Sequence, residues 1–260
     1  MQRMFSEFCD AHVHLTRCGG LDAVLGRPGY RACCSLHTEE DAALFGQIVA
    51  PRAGGRVLAS FGVLPQRPDI ALLPALECLA GSARIAAVGE CGFDYRSPEY
   101  TARKAEQEAV WQAQLGIAVA CGLPVVVHAV RAVHRLFEYA AQLRRLPAVI
   151  MHSFSGSPAE AQALLRRGVN AYFSFGIPLL RGNRRAEACA LGLPAGRILL
   201  ETDAPYQTLR GEAQALPSGI GLVYARMHAL LGLDSPSARE DFRASVCRSF
   251  CAAYGAEPPA

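Results

Sequence analysis

Six side chains of the kinds that bind metals stand at the ends of short apolar runs. Asp10-Ala11-His12-Val13-His14 closes the first run, and a strand's period of two puts His12 and His14 on one side. Glu90 follows Ala86-Ala87-Val88-Gly89, His128 follows Val125-Val126-Val127, and His152 follows Val149-Ile150-Met151; Asp203 comes three residues after Leu200. A lone His-x-His is weak evidence, because a hydrogen-bonded histidine at a strand end explains it as well. Four histidines and two carboxylates spread over several such run ends are another matter, since a barrel of parallel strands brings those ends to one face.

Six donors exceed the roughly three protein ligands of a catalytic zinc, so two divalent ions are expected. A carboxylate can bridge two cations and an imidazole cannot. Glu90 is therefore the expected bridge between an ion on His12 and His14 and another on His128 and His152, with Asp203 either binding the first ion or taking a proton from its water. Mixed imidazole and carboxylate ligation suits zinc, manganese or iron, and magnesium less well, so the identity of the ion stays open. Such a pair lowers the pKa of a bound water towards about 7 and stabilises an oxyanion at phosphorus or carbon. The expected chemistry is hydrolysis, with Asp203 as general base and Glu90 as the shared catalytic carboxylate. The sequence holds no Gly-x-Ser-x-Gly elbow, no Gly-rich phosphate loop ending in Lys-Ser/Thr and no dinucleotide fingerprint.

The elements that must position these residues follow from the same runs. Strands are expected at Phe8-Ala11, Ala32-Leu36, Val57-Val63, Ile85-Gly89, Pro124-Val127, Ala148-Met151, Ala171-Ser174 and Ile198-Leu200. Helical period occupies Glu40-Ala50, Ile70-Leu79, Glu99-Cys121, Ala132-Leu143, Pro158-Arg167, Arg184-Leu191, Leu222-Leu231 and Glu240-Ala253. Alternation of this kind implies parallel strands with helical crossovers, and eight strands favour closure into a (β/α)8 TIM barrel. The chain has 260 residues, close to the roughly 250 typical of such a barrel. A single α/β domain over residues 1–256 is expected, with a short tail at 257–260.

Composition sets further bounds. With 51% hydrophobic and 19% charged residues, the chain can bury one core without disulfides. Its ten cysteines form no Cys-x-x-Cys pair and read as reduced thiols. The start lacks a signal-peptide pattern and no apolar run approaches the roughly 20 residues of a membrane span, so no membrane association and a cytoplasmic location are expected. A formal charge of +3, carried almost wholly by arginine with Lys104 the only lysine, does not announce nucleic-acid binding.

The ordered motifs resemble those of the TatD family of metal-dependent deoxyribonucleases, within the amidohydrolase-like superfamily. Asp10-Ala11-His12-Val13-His14-Leu15 is similar to that family's Asp-x-His-x-His-Leu opening, and Gly89-Glu90-Cys91-Gly92-Phe93-Asp94-Tyr95 to its Gly-Glu-x-Gly-Leu-Asp-Tyr segment. Gln107 through Leu115 and Pro124 to His128 resemble the helix and strand that carry the third histidine. His152-Ser153-Phe154-Ser155-Gly156-Ser157 and Leu200-Glu201-Thr202-Asp203-Ala204-Pro205-Tyr206 resemble its last two motifs. The resemblance covers nearly the whole chain. It implies metal binding at His12, His14, Glu90, His128, His152 and Asp203 and action on DNA, often from a 3′ end; some relatives are credited with deacylase activity.

Around the substrate the pattern departs. Leu64 stands where the family often has a histidine before Pro65. His128-Ala129-Val130-Arg131-Ala132 replaces His-Ser-Arg-Asp-Ala, with the arginine one place on and the aspartate gone. The usual Arg…Asn-x-Pro stretch becomes Arg210 through Leu216-Pro217-Ser218 without an asparagine.

Arg131 and His37 are candidate substrate contacts, against the plainer readings of a solvated arginine and a surface histidine at a strand end. Asp94 is expected to hold a loop or a ligand histidine. Trp111, by helical period, belongs to the core, and His134 and His228 to packing or surface. Arg181, Arg184 and Arg185 could form a patch for nucleic acid or merely solvate a loop. The expected function is a two-metal phosphodiesterase acting on DNA or small phosphodiesters. Its rivals are an amide or ester hydrolase on the same site and a non-catalytic partner subunit that keeps its metal.

Overall fold

Runs of Val, Ile, Ala and Cys buried on both faces are what a parallel barrel requires of its strands. The computed structural model describes residues 8–257; residues 1–7 and 258–260, and with them most of the expected tail, lie outside it. Eight strands, β1 (Phe8–Val13), β2 (Tyr30–Leu36), β3 (Val57–Phe61), β4 (Ala87–Asp94), β5 (Val125–Val130), β6 (Val149–Met151), β7 (Ala171–Phe175) and β8 (Ile198–Leu200), form one sheet in chain order. Every neighbouring pair is parallel. The fold is the expected (β/α)8 barrel, with helices on its outer face.

The seam between β8 and β1 is closed just past the end of β8. Asp203 N–H donates to His12 O at 3.0 Å and His14 N–H to Ala204 O at 2.8 Å. Beneath them the fully buried Asp10 carboxylate accepts from Thr202 N–H (2.9 Å), the Thr202 hydroxyl (2.7 Å) and the Tyr30 hydroxyl (3.3 Å). Burial pushes the Asp10 pKa up to about 8, although the Thr202 hydrogen bonds pull it down. One side chain thus ties three strands together two residues before the first candidate ligand.

Two strand pairs carry a register shift, and both shifts fall at candidate ligands. On β1, Asp10 pairs with Ala32 but Val13 with Cys34, so β1 gains a residue across His12. On β4, Gly89 pairs with Val126 and Cys91 with Val127, leaving Glu90 as the extra residue. Bulges re-aim side chains and are common beside functional sites. The bulge in β4 needs its flanking glycines: a Cβ on Gly89 would lie 2.3 Å from Val126 O, and one on Gly92 2.2 Å from His128 O.

The helices differ from expectation where side chains compete for the backbone. The expected helix Glu99-Cys121 is broken into Pro98–Ala102 and Lys104–Cys121. At the break, Gln107 Nε2 donates to the Tyr100 carbonyl at 2.8 Å and to Asp94 O at 3.1 Å, while its Oε1 accepts from Asp94 N–H at 2.9 Å. One helical stripe further on, Gln114 clasps both backbone groups of Val63, at 2.7 and 3.1 Å. Two buried glutamines therefore fix the ends of β3 and β4. Trp111 between them is fully buried against Phe93 and Tyr139, as its period implied. The expected helix Ala132-Leu143 is likewise two short turns, Val133–Leu136 and Ala140–Leu143, and Glu40-Ala50 is a helix over Glu39–Leu44 continued by a π-turn over Phe45–Val49. None of the ten cysteines is in a disulfide. Among the described residues no helix is long and apolar enough to cross a membrane.

Removing the Asp10 carboxylate leaves three buried donors unpaired, each worth about 1–3 kcal/mol. Asp10→Ala is expected to lower unfolding free energy by about 3 kcal/mol or more in urea denaturation, with Asp10→Asn well short of that because its amide oxygen still accepts.

Candidate metal centre

The structure brings all six expected ligand residues together at the C-terminal mouth of the barrel. His14 reaches it by a route the simple strand period does not give: β1 ends at Val13, and His14 stands beyond it with φ −109° and ψ 68°. The bulge across His12 and this turn together aim both imidazoles inward, with their Nε2 atoms 3.2 Å apart. Asp203 sits in the left-handed region at φ +54°, as do Ser153 (+42°), Arg131 (+55°) and Gln207 (+52°). Strained backbone of this kind persists where the surroundings over-determine it, and here four such residues ring one mouth.

Glu90 divides the donors into two sets. Its Oε2 lies 3.3 Å from His12 Nε2 and 4.0 Å from His14 Nε2; Asp203 Oδ1 completes that set at 3.7 and 3.3 Å from the same two nitrogens. Its Oε1 lies 2.6 Å from His128 Nδ1 and 3.8 Å from His152 Nε2. Donors at the corners of a tetrahedron with bonds of roughly 2.0–2.1 Å stand about 3.3 Å apart; three separations of the first set match this and two, at 3.7 and 4.0 Å, are longer. The second offers three donors. His12 and His152 stack face to face between the sets, ring centroids 3.8 Å apart. His12, His14 and Glu90 could hold a divalent ion, as could Glu90, His128 and His152, and Asp203 forms a third such group with His12 and His152.

Each outer imidazole is oriented from behind. Asp94 Oδ2 lies 3.0 Å from His128 Nε2 and accepts from Gln66 Nε2 at 2.8 Å, so Asp94 holds a candidate ligand, as expected of it. Glu201 Oε1 lies 3.0 Å from His152 Nδ1 and accepts from Ser153 N–H at 2.8 Å. Gln207 donates to Asp203 Oδ2 at 2.7 Å and to the Ser153 hydroxyl at 2.8 Å. Such partners fix ring orientation and ligand basicity. Sequence reasoning missed Glu201, Gln66, Gln207 and Asp10 as supports. Only Glu201 and Asp10 left a trace, as acids one turn of the strand pleat from Asp203 and His12.

The electrostatics are those of a buried cluster with its charges matched. Burial would raise Glu90, but His152, His12 and His128 outweigh it and hold its pKa well below the ordinary range. Asp203 is lowered in the same way, burial being overcome by His152, His14 and His12. For His152 burial works against the charged ring, yet Glu201, Asp203 and Glu90 prevail and push its pKa up to about 10. His12, in contrast, is lowered, by burial first and by His152 second.

A profile for "TatD related DNase" matches residues 9–251. The chain belongs to the TatD-related DNase family. Curated relatives named "3'-5' ssDNA/RNA exonuclease TatD" include one from Cronobacter sakazakii, 37% identical over 133 residues that cover 50% of this chain and 49% of that protein. Another, from Yersinia pseudotuberculosis, is 31% identical over 173 residues, covering 65% and 66%. The chain thus spans between about half and two thirds of the length of these relatives. The TatD homologue YJJV from Escherichia coli superposes with a TM-score of 0.82 at 21% identity, covering 98% of this chain and all of the other. A TatD-family hydrolase from Entamoeba histolytica gives 0.79 at 17% identity, covering 95% and 98%. Both share the fold.

Around this TatD-type centre the two candidate substrate contacts differ. His37 is buried rather than on the surface: its Nδ1 pairs with Gly62 O at 2.9 Å and its Nε2 stands 3.9 Å from Glu90 Oε2. It therefore belongs to the inner wall of the mouth, on the side where Leu64 follows β3. Arg131 is exposed at the rim, donating to Arg96 O at 3.3 Å. His134 lies at the periphery, its ring 6.3 Å from Tyr95, and His228 is buried against Phe242 and Tyr224. Arg181, Arg184 and Arg185 are exposed; Asn183 caps the helix that begins at Arg184, and Arg181 donates to the Thr208 carbonyl.

A cation that binds through His152 must displace the proton it holds up to about pH 10. Metal affinity is thus expected to rise with pH through the neutral range, by roughly tenfold per unit for each proton displaced. Calorimetric titration in buffers of different ionisation heat should register proton release on binding.

Proposed function

We propose that this chain is a metal-dependent phosphodiesterase that cleaves DNA or a related single-stranded nucleic acid, using two divalent ions of zinc, manganese or magnesium type. The observation that carries this reading is the division of Glu90 between two donor sets, Oε2 towards His12 and His14 and Oε1 towards His128 and His152. The relatives named as exonucleases on single-stranded DNA and RNA support the choice of substrate. We extend the same reading to one catalytic domain over residues 1–256 and to a cytoplasmic location.

When bound, paired divalent cations supply Lewis acidity and a water acidic enough to attack at neutral pH. Asp203 is ionised, and with Gln207 holding Oδ2 its Oδ1 is directed at the His12 and His14 side. It accepts the proton of the attacking water as the new O–P bond forms and returns it to the sugar oxygen that leaves as the old P–O bond breaks. Glu90 holds the two sets in register, while Asp94 and Glu201 keep His128 and His152 from turning. His37, held at Nδ1 by Gly62 O and at Nε2 by Ser35 Oγ, packs beside His14 and Glu90 and lines that side of the site.

The test is cleavage of end-labelled single-stranded DNA by metal-stripped protein reloaded separately with Mg, Mn and Zn, beside nitrophenyl phosphodiesters and acyl esters. Metal-dependent shortening is expected, and Asp203→Asn should reduce it by about 10²–10⁴-fold. Turnover of an acyl ester with DNA intact under every metal would replace the nuclease reading with an amide or ester hydrolase. Metal retained with no turnover of any substrate would leave a non-catalytic protein.

A further inference from the structure

Next to the metal-ligand cluster, where β4 and β5 end, a cleft of about 570 Å³ opens between Tyr95, Arg96, Ser97, Thr101 and Arg131. Two hydrogen bonds tie its walls together, backbone Tyr95 N–H donating to Val130 O at 2.9 Å and the Arg131 guanidinium Nη1 to Arg96 O at 3.3 Å. The cleft abuts the centre through one carboxylate. Asp94 Oδ2 takes His128 Nε2 at 3.0 Å on one side and Arg96 Nε at 3.2 Å on the other.

The charge of this cleft is positive. Arg96 uses Nε for Asp94, and its guanidinium carbon lies 5.2 Å from the Tyr100 ring. Arg131 is paired with no carboxylate among the described residues. Lys104 lies outside the lining, its Nζ 5.3 Å from the ring centroid of Tyr95, which lines the cleft. Of the acids nearby, Asp94 is buried and engaged by His128, Gln66 and Arg96, and Glu108 and Glu138 are paired with Arg135 at 2.7 and 2.8 Å. Glu99 is exposed on the short helix Pro98–Ala102. Guanidinium groups present forked donors that match phosphate oxygens.

We propose that this cleft is a phosphate subsite for the nucleotide next to the bond cleaved, in which Arg131 and Arg96 hold the neighbouring phosphodiester of a nucleic-acid strand. The inference rests on the phosphodiesterase reading. Arg96 connects to Glu90 through Asp94 and the His128 ring, by contacts of 3.2, 3.0 and 2.6 Å. A substrate with one phosphodiester fills the metal centre alone; a longer strand reaches both. The subsite therefore makes the enzyme prefer strands over dinucleotides and small diesters, and it gives the displaced arginine at position 131 a use. The left-handed backbone at Arg131, φ +55°, sets its side chain across the cleft toward Arg96.

Two measurements on the full chain test this. In the first, kcat/KM is compared for a dinucleotide, a tetranucleotide and a decanucleotide under the metal that supports cleavage. The ratio of long to short substrate should fall at least tenfold in Arg131→Ala and in Arg131→Gly, which the left-handed backbone accommodates, and recover in part in Arg131→Lys. The slope of log kcat/KM against log salt for the decanucleotide should drop by about 0.7 with the lost phosphate contact. In the second, fluorescence anisotropy reads binding of a labelled decanucleotide to Asp203→Asn protein, and the added Arg131→Ala change should weaken it at least tenfold. Binding and length ratio both unchanged would overturn the subsite even if DNA is cleaved. Arg131-dependent binding without cleavage of any oligonucleotide by the unmutated chain would instead sink the nuclease reading and leave the subsite standing. Inorganic phosphate that competes equally with and without Arg131 would show that the cleft does not grip phosphate and would also overturn it.

Discussion

A buried carboxylate must be balanced by opposite charge on both oxygens, and Glu90 is the residue on which this requirement falls. It lies at the mouth of the barrel with almost no exposure and five imidazoles around it, those of His12, His14, His37, His128 and His152. Isolated, such a group would give up its charge by taking a proton. Here the histidines hold it ionised, and a divalent cation on either side would serve the same end with greater charge. The depressed pKa of Glu90 and the raised pKa of His152 are two views of one requirement.

The backbone is shaped around that carboxylate. A regular β4 would give Glu90 a partner on β5 and the alternating orientation of its neighbours; the bulge makes it the unpaired residue, and glycines on each side let the carbonyls of Val126 and His128 pass close by. The neighbouring side of the cluster is fixed by the barrel seam, where the backbones of His12 and Asp203 are hydrogen-bonded to each other and Asp10 fastens Thr202 below. Closing the barrel and assembling the first donor set are therefore one event. Gln107 and Gln114, reaching inward from one helix, secure the strand ends on the far side.

Position relative to this frame separates the altered residues. His37 lies on the inner wall beside Glu90, and the half-buried Leu64 follows β3 on that side. Arg131 and Arg96 lie outside the imidazole ring, where a change acts on whatever extends beyond it. The metal cluster can thus stay constant while the rim is rebuilt for a different length or shape of substrate, Asp94 being the side chain that touches both His128 and Arg96.

The sequence by itself determined the strand order, the barrel and the six candidate ligands, because parallel strands buried on both faces leave apolar runs, and polar residues that end such runs stand out against them. His37 shows where that reasoning stops: it too ends an apolar run, and only packing against Gly62 and Glu90 shows that it faces inward. The helix break at Arg103 was equally hidden, since helical period continues through it and the competing bonds come from Gln107 to residues of another element. The roles of Asp10, Gln66, Glu201 and Gln207 could not be read locally either, because a hydrogen bond between residues as far apart as Asp10 and Thr202 leaves no spacing to detect. Tertiary structure also decided the bulges at His12 and Glu90, which depend on the register of two paired strands. It is that register, a property of no single segment, that turns a row of strand-end residues into two donor sets sharing one carboxylate.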